Sequence, residues 1–260
     1  MRSNALMNLK ANMNSLNLEV PTDIEKYESI IEKIAAVPSN NGKRGLDGVT
    51  AKTVGEELER RALDAVLAKE RANQARLMTD SAHTNIDRAL INNTEDIIDS
   101  LRPIVSKAHN TIMDTYDKMN GTIDAETAIA LDASKEYKAA NDAWRIIDTA
   151  ANIRSTLYTL DRPEFERGLE RRLTLYRFHT LEAWKAYETL PDAGSGAANH
   201  ALSTNTDGVE FAWLSTDEAE AQSHALGKAQ TAENNGDHTG MIFDREAMAY
   251  RVGADAWKYL

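Results

Sequence analysis

The sequence predicts a mainly α-helical protein: an elongated up-and-down bundle of about four long helices, followed by a small C-terminal α+β lobe. Small and aliphatic residues recur every three or four positions over one long segment, which is typical of one face of a single helix. Further long segments share that period and are joined by short breaks, so neighbouring helices run antiparallel. Aromatic residues make up only 6% of the 260 residues, which favours aliphatic helix packing over a β-sandwich.

The first segment, residues 1–20, is predicted to be a docking arm. It is too apolar for a free tail, and its asparagines are poor helix formers. Its candidate contact residues are Leu6, Leu9, Met13, Leu16 and Leu18. The alternative is a short helix that folds back on the body of the same chain.

The bundle is assigned to residues 21–190. A short helix starts after Thr22, which can cap it in a Thr-x-x-Glu box with Glu25, and it ends at Pro38. A glycine-bearing loop follows, and then a helix of roughly 50 Å from about Ala51 to Ile91. One stripe of this helix is predicted to face inward: Val54, Leu58, Ala62, Ala65, Ala68, Ala72, Ala75, Thr79, Ala82, Ile86 and Ala89.

Three more long helices complete the predicted bundle. The second starts at Thr94, which follows two asparagines, and ends at Asn120-Gly121, where glycine suits the left-handed conformation of a helix C-terminus. The third spans about Ile123–Leu160. The fourth carries Phe165, Leu169, Leu173, Tyr176, Trp184, Tyr187 and Leu190, and it ends at Pro191.

The character of the chain changes after Pro191. Residues 191–208 are small, polar and glycine-bearing, which predicts a linker loop. Residues 209–260 are assigned to the α+β lobe, with strands near Val209–Leu214 and Met241–Phe243 and a last helix that carries Met248, Val252, Ala256 and Tyr259. Two strands are too few to stand alone, so Phe211 and Trp213 are candidates for pairing with the bundle or with another chain.

Catalytic and metal-binding signatures are absent from the sequence. The chain has no cysteine, no Glu-x-x-His pair of the kind that di-iron bundles use, and no phosphate-binding glycine loop. Asp80 with His83 is the nearest approach to a metal pair. Gly194-Ser-Gly196 near His200 lacks the strand-turn-helix setting of a nucleophile elbow, so it is interpreted as a hinge. We therefore predict no catalytic residue, no metal, no cofactor and no small-molecule ligand.

The charge distribution bears on partners. The formal net charge is −11, which argues against nucleic acid as a partner. Residues 191–260 hold eleven acidic and four basic residues, a net of −7. Arg171 and Arg172 lie in an arginine-rich run whose interleaved glutamates favour a solvated face of ion pairs. The alternatives are a basic patch for nucleic acid or an acidic partner, and a contact between these arginines and the acidic C-terminal lobe of another chain.

The expected location follows from what the chain lacks. It has no signal-peptide pattern and no apolar stretch long enough to span a membrane, so we expect a cytoplasmic protein in the producing cell, with incorporation into a virus particle as a further expectation.

The leading functional hypothesis is a non-enzymatic structural or assembly protein that acts through protein–protein contacts, as a homo-oligomer or with other subunits. A head-associated, connector or scaffolding subunit of a bacteriophage is one example. The first alternative is an enzyme or ligand-binding bundle with an aromatic pocket between helices. Its lining is Trp144, Tyr137, Tyr176 and Trp184, with Asn141 and Asp148 as polar groups. The second alternative is a cellular adaptor.

Overall fold

The computed structural model of the chain is mainly helical, with a small strand content towards the C-terminus. It describes residues 3–37, 52–161, 171–190, 196–235, 240–244 and 249–253. The described residues divide into two compact units. The first contains Val20–Asn92, and the second contains Asn4–Glu19 together with Asn93–Leu260. This division falls at Asn92-Asn93, where the sequence predicts a break between two helices of one bundle.

In the described part of the first unit, two helices, α2 (Thr22–Ala35) and α3 (Val54–Asn92), pack against each other. The predicted Thr22 cap is wrong. Thr22 is already the first helical residue, Pro21 holds the capping position, and no side chain accepts a hydrogen bond there. Helix α3 runs without interruption for 39 residues, about 58 Å at 1.5 Å per residue.

The predicted inward stripe of α3 is buried only at its C-terminal end. Ala82, Ile86 and Ala89 are buried, whereas Val54 and Leu58 are exposed, and so are Ala62, Ala65 and Ala72. The physical reason is length: α2 has 14 residues and spans about 21 Å, so it covers only part of a helix almost three times as long.

The second unit is built around the packing of α4 (Thr94–Lys118) against α6 (Ser134–Asp161). It also contains most of α1 (Ser3–Ser15). Pro103 lies inside α4 without ending it. The predicted end of this helix is confirmed: Gly121 has φ +83° and its N–H donates to the Tyr116 carbonyl at 2.8 Å.

The third predicted helix is interrupted. A short helix, α5 (Ala125–Ala130), starts at Asp124, whose side chain accepts a hydrogen bond from the Thr127 N–H. The chain then turns at Asp132, which has φ +54°, before α6 begins. The Ala133 N–H donates back to the Ala128 carbonyl and closes this turn.

The fourth long helix of the prediction is not present in the described part of that segment. Residues 171–190 form a short helix, α7 (Arg171–Leu175), a strand, β1 (Tyr176–Phe178), and a second short helix, α8 (Leu181–Glu188). Thr180 caps α8 by accepting a hydrogen bond from the Ala183 N–H, which stops a helix from running through this point. Phe165 and Leu169 lie outside the described residues.

The predicted linker is helical over Gly196–Thr204, and the turn at residues 205–208 follows this helix. Gly196–Thr204 form α9, whose residues Ala197, His200 and Ala201 are buried. Strand β2 (Val209–Phe211) follows and pairs antiparallel with β1, with Tyr176 opposite Phe211. The two strands of the prediction therefore do not pair with each other.

The last described elements are α10 (Thr216–Asn234) and a hairpin of β3 (Gly240–Asp244) with β4 (Ala249–Gly253). Ser215 and Glu218 form a reciprocal capping box at the start of α10. The predicted last helix is wrong at Val252, which lies in β4. Met248, Ala256 and Tyr259 lie outside the described residues.

Gly208 at the entrance to β2 gives a direct test of this fold. It has φ +71°, and a Cβ there would lie 2.9 Å from the Ala183 Cβ. We expect Gly208→Ala to lower the free energy of unfolding by about 1–3 kcal/mol in denaturant titrations followed by tryptophan fluorescence.

The matched control for that substitution is Gly227→Ala, in the middle of α10, where a Cβ would meet open space. This change should raise the free energy of unfolding by about 0.5–1 kcal/mol, because alanine is the better helix former. Equal stability of Gly208→Ala and the unsubstituted chain would contradict the described turn.

Candidate functional site

A chain of three polar rings crosses the core of the second unit. The Tyr176 hydroxyl lies 2.6 Å from His200 Nδ1, and His200 Nε2 lies 2.9 Å from His109 Nδ1. Tyr176 comes from β1, His200 from α9 and His109 from α4. His200 and Tyr176 are fully buried and His109 is partly buried, so this row of hydrogen-bonded side chains extends from the core towards the surface of the unit. We call these residues the histidine cluster.

Aromatic rings enclose the histidine cluster. Phe211 stacks on His109 with ring centroids 4.2 Å apart, and its centroid lies 5.1 Å from that of His200. Trp144 of α6 lies 5.6 Å from His200 by the same measure. The cluster thus joins α4, α6, α9, β1 and β2 at one point of the core.

Burial determines the protonation of His109: it lowers the pKa of His109 to about 4, so His109 is neutral at pH 7. For a neutral His200, two hydrogen-bonding patterns are possible: the Tyr176 hydroxyl donates to His200 and His200 donates to His109, or both bonds run in the opposite direction. Chemically, the cluster is a chain along which protons can be exchanged between the core and His109.

The side chain of Trp213 anchors a second buried contact in this unit. Its Nε1 donates to the Ile98 carbonyl at 2.9 Å, and its own carbonyl accepts from Arg102 at 2.7 Å. The buried guanidinium of Arg154 lies 5.2 Å from the Trp213 ring and donates to the Thr174 carbonyl at 3.2 Å. Burial lowers the pKa of Arg154 to about 10, and the ring supplies part of the stabilisation that this cation loses with water.

The residues that the sequence predicts for contacts with other chains are mostly engaged within this chain. In the arm, Leu6, Leu9 and Met13 are buried on α1, Leu16 is buried just after this helix, and Leu18 is partly buried. Phe211 stacks on His109 of the histidine cluster, and Trp213 is the anchor described above. That these residues contact a partner stays a prediction.

The two candidate arginines lie in α7. The Arg172 guanidinium lies 4.5 Å from the Trp184 ring and 3.6 Å from a Glu188 carboxylate oxygen. The side chain of Arg171 is outside the described residues. Arg172 therefore belongs to a local ion pair and a cation–π contact, which is close to the solvated-face interpretation of this run.

The structure brings together only part of the predicted aromatic pocket. Tyr176 and Trp144 both lie beside His200, whereas Trp184 packs edge-on to Phe178 at 4.9 Å. Tyr137 packs against a separate small cluster of Met119, Ala128 and Ala133. Asn141 donates to the Tyr137 carbonyl and Asp148 lies 3.4 Å from Asn152, so both polar residues make contacts along α6 itself.

Sequence reasoning missed His109 and assigned His200 to a linker. One signal for His109 was present: it follows Leu101, Val105 and Ala108 on the buried side of α4. A histidine at the edge of such a stripe is desolvated and must find a hydrogen-bond partner. No spacing rule within the sequence links it to His200, which is 91 residues further along.

A different kind of candidate site lies on α3. Of the twelve large hydrophobic residues that are exposed in the described part of the chain, seven are on this helix: Val54, Leu58, Leu63, Val66, Leu67, Leu77 and Met78. Contiguous exposed apolar side chains mark an interaction surface, whereas singly scattered ones are ordinary on a protein surface. We define the outer face of α3 as Arg60, Leu63, Leu67, Glu70, Gln74 and Leu77.

The outer face lies away from the covered side of α3. Partly covered residues recur on one stripe of this helix, at Glu57, Arg61, Ala68, Ala75 and Thr79, and the stripe continues into the buried Ala82 and Ile86. At about 100° per residue, Leu63 and Leu67 lie roughly 100–140° around the helix from the stripe.

No family model, curated protein or solved structure shows a significant match to this chain. Within the described residues, no helix is both long enough and apolar enough to cross a membrane. The same residues contain no group of three or more histidine, aspartate or glutamate side chains placed to hold a metal ion.

The histidine cluster predicts a pH-dependent stability. Unfolded His109 takes up a proton near pH 6.5, whereas folded His109 does so only near pH 4, so stability is lost as pH falls from about 6.5 to 4. We expect a loss of about 2 kcal/mol from this residue, after allowing for its partial exposure. Denaturant titrations at pH 7, 6, 5 and 4 measure it.

Two variants separate His109 from other titrating groups. His109→Phe should remove this part of the pH dependence, while His224→Gln, at an exposed position of α10, controls for the loss of a histidine. Identical pH profiles for His109→Phe and the unsubstituted chain would show that His109 is not held neutral by the fold.

Proposed function

We propose that this chain is a non-enzymatic assembly subunit that associates with copies of itself through α3. The observation that carries the proposal is the exposed run of aliphatic side chains along the first two thirds of this helix. On one side of the helix, Val66 is 64% exposed, Leu63 is 59% exposed and Leu67 is 44% exposed. A large aliphatic side chain contributes about 1.5–3 kcal/mol when it is buried, so several on one helix amount to a strong driving force for association.

Helix α3 is stabilised along its own length, which supports its use as a preformed docking element. Arg60 bonds Glu57 at 2.6 Å and Asp64 at 3.0 Å, and Arg61 bonds Glu57 at 2.7 Å. These hydrogen bonds hold the pKa of Glu57 at about 2. Pairs at these spacings favour the helical state of an exposed segment. A partner would therefore meet an ordered helix, and little conformational entropy would be lost on binding.

The contrast with the second unit also supports this proposal. In that unit the histidine cluster and the Trp213 anchor use their polar atoms to join elements of the core, as structural networks do. The exposed apolar side chains are concentrated on α3 instead. A bacteriophage particle and a cellular adaptor complex are two settings for such a subunit, and both stay predictions.

The second candidate function is a ligand-binding or enzymatic bundle, and the histidine cluster favours it. A tyrosine, a buried histidine and a partly buried histidine in one hydrogen-bonded chain can move protons between core and surface. Native mass spectrometry of the full chain tests it. A bound small molecule that is lost in His109→Phe would favour this candidate over assembly.

The assembly proposal predicts the mass in solution. Light scattering on the full chain should give a mass above the 28.8 kDa of one copy, rising with protein concentration. Leu63→Asp combined with Leu67→Asp should lower the association constant at least a hundredfold, because two carboxylates would enter an apolar contact.

The matched control is Leu202→Asp on α9, an exposed leucine of the second unit. It should leave the mass unchanged. A mass of one copy at every concentration would contradict the proposal, and so would an assembly that the α3 substitutions do not weaken.

A further inference from the structure

We infer that the outer face of α3 pairs with the same face of a second copy, with the two helices antiparallel and the two-fold axis near the level of Ala65. This inference rests on the proposed function and names the partner and the geometry. It requires three properties of the outer face: regular spacing, charges that match under this symmetry, and a suitable length.

The spacing is that of a two-stranded helical seam. The outer-face residues follow one another at intervals of three and four, which keeps them on one line along a helix that coils gently around a partner. Leu63 and Leu67 form the apolar centre of the seam. Arg60 and Glu70 flank this centre on either side.

The charges select the antiparallel arrangement. In a parallel pair in register, Arg60 would face Arg60 and Glu70 would face Glu70 of the second copy, and like charges at such positions oppose pairing. In the antiparallel pair Leu63 faces Leu67 of the second copy. Each Arg60 then faces a Glu70, and symmetry produces this ion pair twice.

The side chains that flank the seam fit the same symmetry. Val66 lies within about 3 Å, along the helix axis, of Val66 of the second copy, which adds an apolar contact at the centre. Asp64 likewise lies within about 3 Å, along the helix axis, of Asp64 of the second copy. Its carboxylate is bonded to Arg60 of the same helix at 3.0 Å, which offsets the repulsion between the two aspartates.

The length of the overlap matches the exposed part of α3. Pairing Leu63 with Leu67 sets the overlap at residues 54–76, about 34 Å, which is a little over three heptads. The exposed segment of α3 runs from its start to Met78, and burial begins at Ala82. The overlap therefore uses the uncovered segment and stops before the buried end.

Cysteines introduced one at a time can test this geometry by disulfide cross-linking, because the chain has no cysteine of its own. In the antiparallel pair, Val66→Cys lies next to its counterpart, whereas Leu77→Cys lies about 36 Å from its counterpart along the axis. In a parallel pair, Leu77→Cys would face itself. Mild oxidation of the full-length variants, followed by non-reducing electrophoresis, distinguishes the two.

We expect at least tenfold faster disulfide formation by Val66→Cys than by Leu77→Cys, with Leu202→Cys as the control for random collisions. Equal or faster linkage through Leu77→Cys overturns the antiparallel pairing. Association by light scattering without linkage at either position overturns this inference and leaves the proposed function standing. A single-copy mass at every concentration overturns both.

A charge exchange provides a second readout. Arg60→Glu places two carboxylates at each flank and should weaken association about tenfold. Adding Glu70→Arg to the same chain restores opposite charges in the antiparallel pair, so association should recover. No recovery in the double variant counts against the pairing of Arg60 with Glu70.

Discussion

The long helix α3 and its short neighbour α2 impose the constraint on which this account depends. A helix of 39 residues is packed in its own unit against one of 14 residues. The stripe of partly covered and buried residues on α3 contains alanines, which allow close approach but remove little apolar area from water. The larger side chains, such as Leu63 and Leu67, lie elsewhere on the helix and remain exposed. The uncovered face is therefore a consequence of helix length and side-chain distribution.

In the second unit, most buried side chains find their packing and hydrogen-bond partners within the unit itself. Its helices are shorter, and strands β1 and β2 are held between them. The histidine cluster shows how polar groups are accommodated there: His200 is fully buried, and each of its ring nitrogens has a partner. Arg154 is accommodated only in part: its guanidinium contacts the Trp213 ring and donates to the Thr174 carbonyl, and its Nη2 is buried without a hydrogen-bond partner in the described residues. This unit supplies ordered packing, while α3 supplies an open surface.

The sequence alone was sufficient to predict those elements whose backbone conformation depends on nearby residues. The extent of α3 follows from its periodicity, and the end of α4 follows from Gly121, because only glycine adopts that conformation readily. The strand at Val209–Phe211 follows from its alternating pattern. In each case the signal lies within a few residues of the feature that it specifies.

The sequence was insufficient where distant residues determine the structure. Tyr176–Phe178 sit in a run with helical spacing, and they form a strand because β2 pairs with them from 31 to 35 residues away. Helix α9 has the composition of a linker, and it is helical where Ala197 and Ala201 are buried. Burial of α3 was overestimated for a related reason, since periodicity shows which residues share a face but not whether anything covers that face.

Hydrogen exchange at the amides of α3 tests the central claim most directly, because it reports coverage of this helix residue by residue. The measurement compares the full chain at low and high protein concentration. If copies of the chain associate through α3, amide exchange over residues 54–76 slows as protein concentration rises, while exchange around the buried Ala82–Ala89 segment stays constant. Concentration-independent exchange along all of α3 would contradict the claim that its exposed face is an assembly surface.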